Sequence, residues 1–172
     1  MKNPTNVAAA IGLALGGLFG ILGTMVSERN LQAAFWAVDG VGLVVATALL
    51  ALRFFRMGHD VVAAGFLVFT IGESVMLAGT AESLAGSVPS FAAGTALWSA
   101  ALLLIIVPKE FATWIRLVGT VGAILFAITA ARIFWGEQVL PTTSPLPFFA
   151  YPFLVLTFAG WIWTLLKRDG KN

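Results

Sequence analysis

The chain has 172 residues, 59% hydrophobic and only 10% charged, with a mean hydropathy of +0.95. Soluble domains carry about 25% charged residues, so a water-soluble core does not account for it. The pI of 9.4 is no nucleic-acid signal either, because Lys and Arg form no run and flank apolar segments. Cysteine is absent, which removes disulfides, thiolate nucleophiles and thiolate metal sites.

Charges, prolines and Gly/Ser clusters divide the apolar material into six predicted spans, at 7–27, 31–55, 60–86, 90–107, 111–136 and 147–166. Short connections place sequence neighbours antiparallel. The expectation is an all-α polytopic membrane protein, a six-helix up-and-down transmembrane bundle in a single domain spanning 1–172.

The apolar run from Val7 to Val26 is longer than a signal-peptide core and lacks an A-x-A cleavage site, so it reads as a retained span. Its Gly12, Gly16 and Gly20 repeat the G-x-x-x-G spacing that lets helices approach closely. Lying at the end of the chain, this face is the one expected to meet a second copy or a membrane partner subunit. In the second span Asp39 shares a helix face with Gln32 and Gly42, which suits packing against a glycine groove.

That groove is predicted in the third span, where Gly58, Gly65, Gly72, Gly79 and Gly86 recur every seven residues. A seven-residue period drifts by only about 20° per heptad on a straight helix, so a neighbouring helix can lie along it. Glu73 falls near the middle of the span, with Thr80 on the same face; Glu82 falls roughly 13 Å further out on the opposite flank. An ionised side chain inside a bilayer costs at least about 2.5–3.5 kcal/mol. Glu73, Asp39 and Glu82 are therefore expected to face protein or water and are the candidate ion or proton pathway, with Thr80 as an uncharged ligand. The plainer expectation for each carboxyl is a hydrogen-bonded contact between helices.

Trp98 lies mid-span in the fourth segment, whereas Trp36, Trp114, Trp135, Trp161 and Trp163 lie near span ends, where interfacial anchors are expected. The fifth span leaves only Leu117 to Ala131 free of charge, about 22 Å at 1.5 Å per residue, so Arg116 and Arg132 are expected to snorkel to opposite interfaces. In the sixth, Pro152 frees the carbonyl of Phe148. The loop before it, with Pro141, Pro145 and Pro147, reads as a rigid connection or a lid.

Lys2, Arg53, Arg56, Lys109, Arg116, Lys167, Arg168 and Lys171 fall on one side and Arg29 and Arg132 on the other. That distribution predicts a cell-membrane protein with both termini cytoplasmic. No lysine falls inside a predicted span and His59 is the only histidine, read as a solvated turn residue or a partner of Asp60. No catalytic residues, cofactor or metal site are therefore expected, and the chain is not read as an enzyme. Its expected surroundings are lipid, without nucleic acid. Two functions fit: a small proton- or cation-linked carrier or channel, and a non-catalytic accessory or scaffold subunit packing through Gly65, Gly72, Gly79, Gly12, Gly16 and Gly20.

Overall fold

A computed structural model describes residues 3–142 and 144–169, apart from the side chains of 168 and 169. Of the charges used for orientation, Lys2, Lys171 and the side chain of Arg168 lie outside the described residues. The described residues form six helices: α1 (Pro4–Met25), α2 (Arg29–Arg56), α3 (Asp60–Gly79), α4 (Val88–Ile106), α5 (Thr113–Phe134) and α6 (Pro145–Asp169). Each is long and apolar enough to cross a membrane.

Local chemistry sets several helix boundaries. Asn3 caps α1 by accepting from the Thr5 N–H at 3.0 Å, with Pro4 pre-set for the first turn. Glu28 caps α2 through the N–H groups of Asn30 (2.9 Å) and Leu31 (2.6 Å), and Gln32 reaches back to the Gly23 carbonyl at 3.0 Å, satisfying the end of α1. Gly58 (φ 76°) and Gly136 (φ 93°) sit just beyond α2 and α5 in the left-handed region that glycine adopts without strain. Arg116 donates to the Ile106 carbonyl at 2.7 Å, so it closes the end of α4 instead of projecting inward.

Each helix packs on its sequence neighbours and α6 returns to α1, which closes a ring. One end of the ring carries the helix ends nearest the chain termini, with the α2–α3 and α4–α5 connections; we call it the terminal end. There His59 pairs with Glu110 at 3.2 Å, tying the two connections together, where the sequence suggested Asp60. The other end, the far end, carries residues 26–28, 80–87, 135–142 and 144. In the terminal half the centre is filled by rings: Phe66 stacks on Phe54 (centroids 5.5 Å) and meets Trp161 edge-on (4.9 Å), with Phe111 against both phenylalanines. Such pairs add about 0.5–1.5 kcal/mol each beyond area burial.

Trp161 corrects the interfacial reading, because it is fully buried at the heart of this cluster. Trp114, Trp135 and Trp163 are exposed near helix ends.

The glycine stripes are both in use inside the chain. A Cβ on Gly12 would lie 2.5 Å from the Gly42 carbonyl oxygen, and one on Gly16 would lie 2.3 Å from Leu43, so this face of α1 receives α2 and is not left open for a second copy. Gly65, Gly72 and Gly79 receive α4, with would-be Cβ contacts of 2.7 Å to Ile105, 2.9 Å to Leu97 and 2.6 Å to Ser90. Gly58 and Gly86 lie in connections and take no part in the groove.

Candidate functional site

α3 ends at Gly79, where the sequence suggested it continues to 86, and this shortening rearranges the candidate residues. Glu73 lies six residues from the end of the helix, roughly 9 Å along the axis, and so belongs to the far half of the bundle and not to its middle. Thr80 caps the helix, its hydroxyl donating to the Leu77 carbonyl at 2.7 Å. Glu82 is not helical; it is exposed in the 80–87 connection, and its backbone carbonyl accepts from the Arg29 guanidinium. The helical-angle argument that set Glu82 opposite Glu73 therefore does not apply.

Above the aromatic plug the ring encloses a cavity of about 80 Å³. α3 contributes Glu73 and Met76, with Thr80 at its end; α2 contributes Asp39 and Trp36. Trp98 and Phe91 project from α4, and Tyr151 from α6, one residue before Pro152. Buried Pro141 brings the long α5–α6 connection onto the cavity, with Val139 packed beside it. A second hollow of about 20 Å³ shares Trp36, Gly79, Thr80 and Ser87 with the first and runs to Arg29 and Glu82. Glu82 thus stands at the outer edge and Glu73 and Asp39 inside.

Why the chain tolerates these acids here follows from their neighbours. Asp39 turns toward α1, not toward the α3 groove as expected: a Cβ on Gly16 or Gly20 would lie 3.2 Å or 3.1 Å from its carboxylate oxygens, so glycines make the room it occupies. The face it shares with Gln32 and Gly42 packs on α1, and Asp39 also reaches the cavity. Glu73 is only 3% exposed and its carboxyl stands beside the Trp98 indole; its Oε2 and Asp39 Oδ1 are buried without a hydrogen bond of good geometry. Leaving a buried polar group unpaired costs about 1–3 kcal/mol. Both oxygens belong to residues that line one cavity, where an occupant that hydrogen-bonds would satisfy them. At about 10–15 Å³ of cavity space per molecule, water is one that fits.

Of the residues singled out in the sequence, Glu73, Asp39 and Thr80 meet at this cavity with Gly20 and Gly79, whereas Gly12, Gly65 and Gly72 serve helix packing away from it. Sequence reasoning missed Tyr151, Trp36 and Phe91, while Pro141 was noted only as part of a rigid connection or lid. Tyr151 carried a usable signal, being the chain's one tyrosine and adjacent to a mid-helix proline. Trp36 did not, since its distance from the span end matches that of an interfacial anchor.

The fold is that of a multi-pass integral membrane protein, with six helices able to span the bilayer. In comparison with known proteins the chain matches no family model, no curated protein and no solved structure.

Proposed function

We propose that the protein is a small proton- or cation-linked carrier or channel of the cell membrane, not an enzyme, with both termini cytoplasmic and the cavity reached from outside. Glu73 is its central titratable group, Asp39 the second carboxyl of the site, Thr80 an uncharged ligand and Glu82 the acid at the mouth. The observation that carries this reading is Glu73 itself: a nearly fully buried acid with an oxygen that lacks a hydrogen bond of good geometry, lining a cavity that a second acid also lines. Intramembrane acids that face a cavity mark ion and proton pathways. The aromatic plug of Phe54, Phe66, Phe111 and Trp161 separates this site from the terminal end. A carrier would hold that plug shut in this state and loosen it in another.

A second reading, an accessory or scaffold subunit, draws on the exposed apolar groove between α1 and α2 lined by Ile11, Leu15, Val38, Val41 and Val45, which would seat lipid or a partner helix. Flux in proteoliposomes under an imposed pH gradient separates the two. The expected result is flux of protons or a small cation, abolished by Glu73→Gln and weakened by Asp39→Asn, with both variants folded. An amide keeps the shape and most of the hydrogen bonding of the carboxyl while removing its titration. Wild-type protein that carries neither protons nor small cations would leave the accessory reading in place.

A further inference from the structure

We infer that the cavity accepts a small organic cation, an alkylammonium or guanidinium ion, held by the Asp39 and Glu73 carboxylates against the rings of Trp36, Trp98 and Tyr151; this rests on the carrier reading and names its substrate class. Charge comes first. Among the described residues two carboxyls line the cavity and no Lys, Arg or His does, so of the two signs of ion a cation is the one these walls suit. The second constraint is the kind of wall. Trp36, Phe91, Trp98 and Tyr151 put four aromatic rings in the lining, and a ring face turned to an organic cation attracts it through the quadrupole while its N–H groups bond to carboxylates.

A hard metal ion fits these walls poorly. Calcium takes six to eight oxygen ligands and magnesium demands near-octahedral ones, whereas no group of three or more His, Cys, Asp or Glu side chains able to hold a metal exists among the described residues.

Size sets the third limit. A cavity of about 80 Å³ takes several waters, each needing about 10–15 Å³ of such space, or a small organic ion. Methylammonium and guanidinium carry N–H donors for the carboxyls, whereas tetraethylammonium is larger and has none. Glu73 Oε2, buried and without a hydrogen bond of good geometry, is the acceptor that such a donor would complete.

The experiment is a thermal-stability titration of the full chain, purified in detergent, with methylammonium, guanidinium, tetraethylammonium, sodium and potassium chlorides at low millimolar concentration and matched ionic strength. A ligand that binds only the folded state raises the apparent midpoint in a saturable way. We expect methylammonium and guanidinium to do so, and sodium, potassium and tetraethylammonium not to. Glu73→Gln should weaken the half-saturation at least tenfold; Trp36→Leu should weaken it severalfold, and Trp36→Phe, which keeps a ring at the mouth, should retain most of it. Equal protection by sodium or potassium would overturn the inference and leave the carrier reading intact. So would proton flux in proteoliposomes with no response to either organic cation. Absence of both flux and protection would remove the inference and the reading together. If Glu73→Gln fails to fold, the wild-type ion series still decides, since it needs no variant.

Discussion

Gly12→Ala and Gly17→Ala place the same methyl group on the same helix, one turn and a residue apart, and should have opposite consequences. At Gly12 the new Cβ would stand 2.5 Å from the Gly42 carbonyl oxygen and 2.9 Å from the Ala46 Cβ. The oxygen is backbone and cannot rotate away, so reaching an ordinary C–H···O contact of about 3.3–3.6 Å requires α1 to retreat from α2 by roughly 0.8–1.1 Å. At Gly17 the nearest atoms are side-chain carbons of Val155 and Phe158 at 3.5 and 3.7 Å, which is ordinary contact. Replacing glycine in a helix interior gains about 0.8–1 kcal/mol from the helix alone. That gain is common to both variants and cancels between them, leaving the overpacking cost of about 1–3 kcal/mol as the difference. For a protein of this size about 1 kcal/mol corresponds to roughly 2–4 °C. Thermal unfolding in detergent, followed by helical circular dichroism for the two variants side by side, should therefore place Gly12→Ala several degrees below Gly17→Ala, with Gly17→Ala at or above wild type. Gly12→Ala unfolding at or above Gly17→Ala would show that the Gly12 face does not meet the α2 backbone.

Topology can be read from single cysteines in a chain that has none of its own: with Ser83→Cys at the exposed far end and Met57→Cys at the exposed terminal end, an impermeant thiol reagent added to intact cells should label the first and not the second. Labelling of Met57→Cys alone would invert the assignment. The Glu28 carboxylate is held below its ordinary value of 4.5 by the N–H groups of Asn30 and Leu31 that it caps. A depressed folded-state value means that the cap's contribution is present above about pH 4.5 and is lost as the pH falls through the folded-state value. Glu28→Gln should accordingly flatten the fall in thermal midpoint between neutral and acidic pH, and an unchanged slope would show that the cap is not formed in solution.

Six helices were legible because each apolar run is bounded by charges, prolines or glycines that act at the level of single residues, as Asn3, Glu28, Gly58 and Gly136 do. The third boundary was misplaced for a physical reason. Gly86 continues the seven-residue spacing into a connection, and a spacing pattern does not reveal that the helix has stopped at Gly79. Glu82 moved with that error. Both acids of the cavity stood out in the sequence because charge in an apolar segment is conspicuous. Their meeting around one space was not legible, since it depends on how α2, α3, α4 and α6 are arranged around the ring. Trp161 and Trp36 show the same limit from the other side: distance from a helix end predicts depth, but which way a ring points is decided by packing between helices.

The two glycine seams divide the ring in a way that bears on the acids. α1 and α2 approach closely at Gly12, Gly16 and Gly42, and α3 and α4 at Gly65, Gly72, Gly79 and Gly94, where an added Cβ would clash with the facing helix. Asp39 belongs to the first pair and Glu73 to the second. Between the pairs, α2 meets α3 through the Thr47 and Thr70 hydroxyls at 2.8 Å and through Gly40 against Leu77, where a side-chain hydrogen bond and a flexible leucine can yield. A carrier motion that kept both glycine seams would move one pair as a unit relative to the other. Such a motion changes the separation of Asp39 and Glu73 while leaving the seat of Asp39 on Gly16 and Gly20 intact. It also shifts Phe66 relative to Phe54, because these plug residues lie one on each pair. Under the carrier reading proposed above, such a motion would change the spacing of the two carboxyls and the closure of the aromatic plug together, the coupling required of a carrier with its site on one side of a barrier.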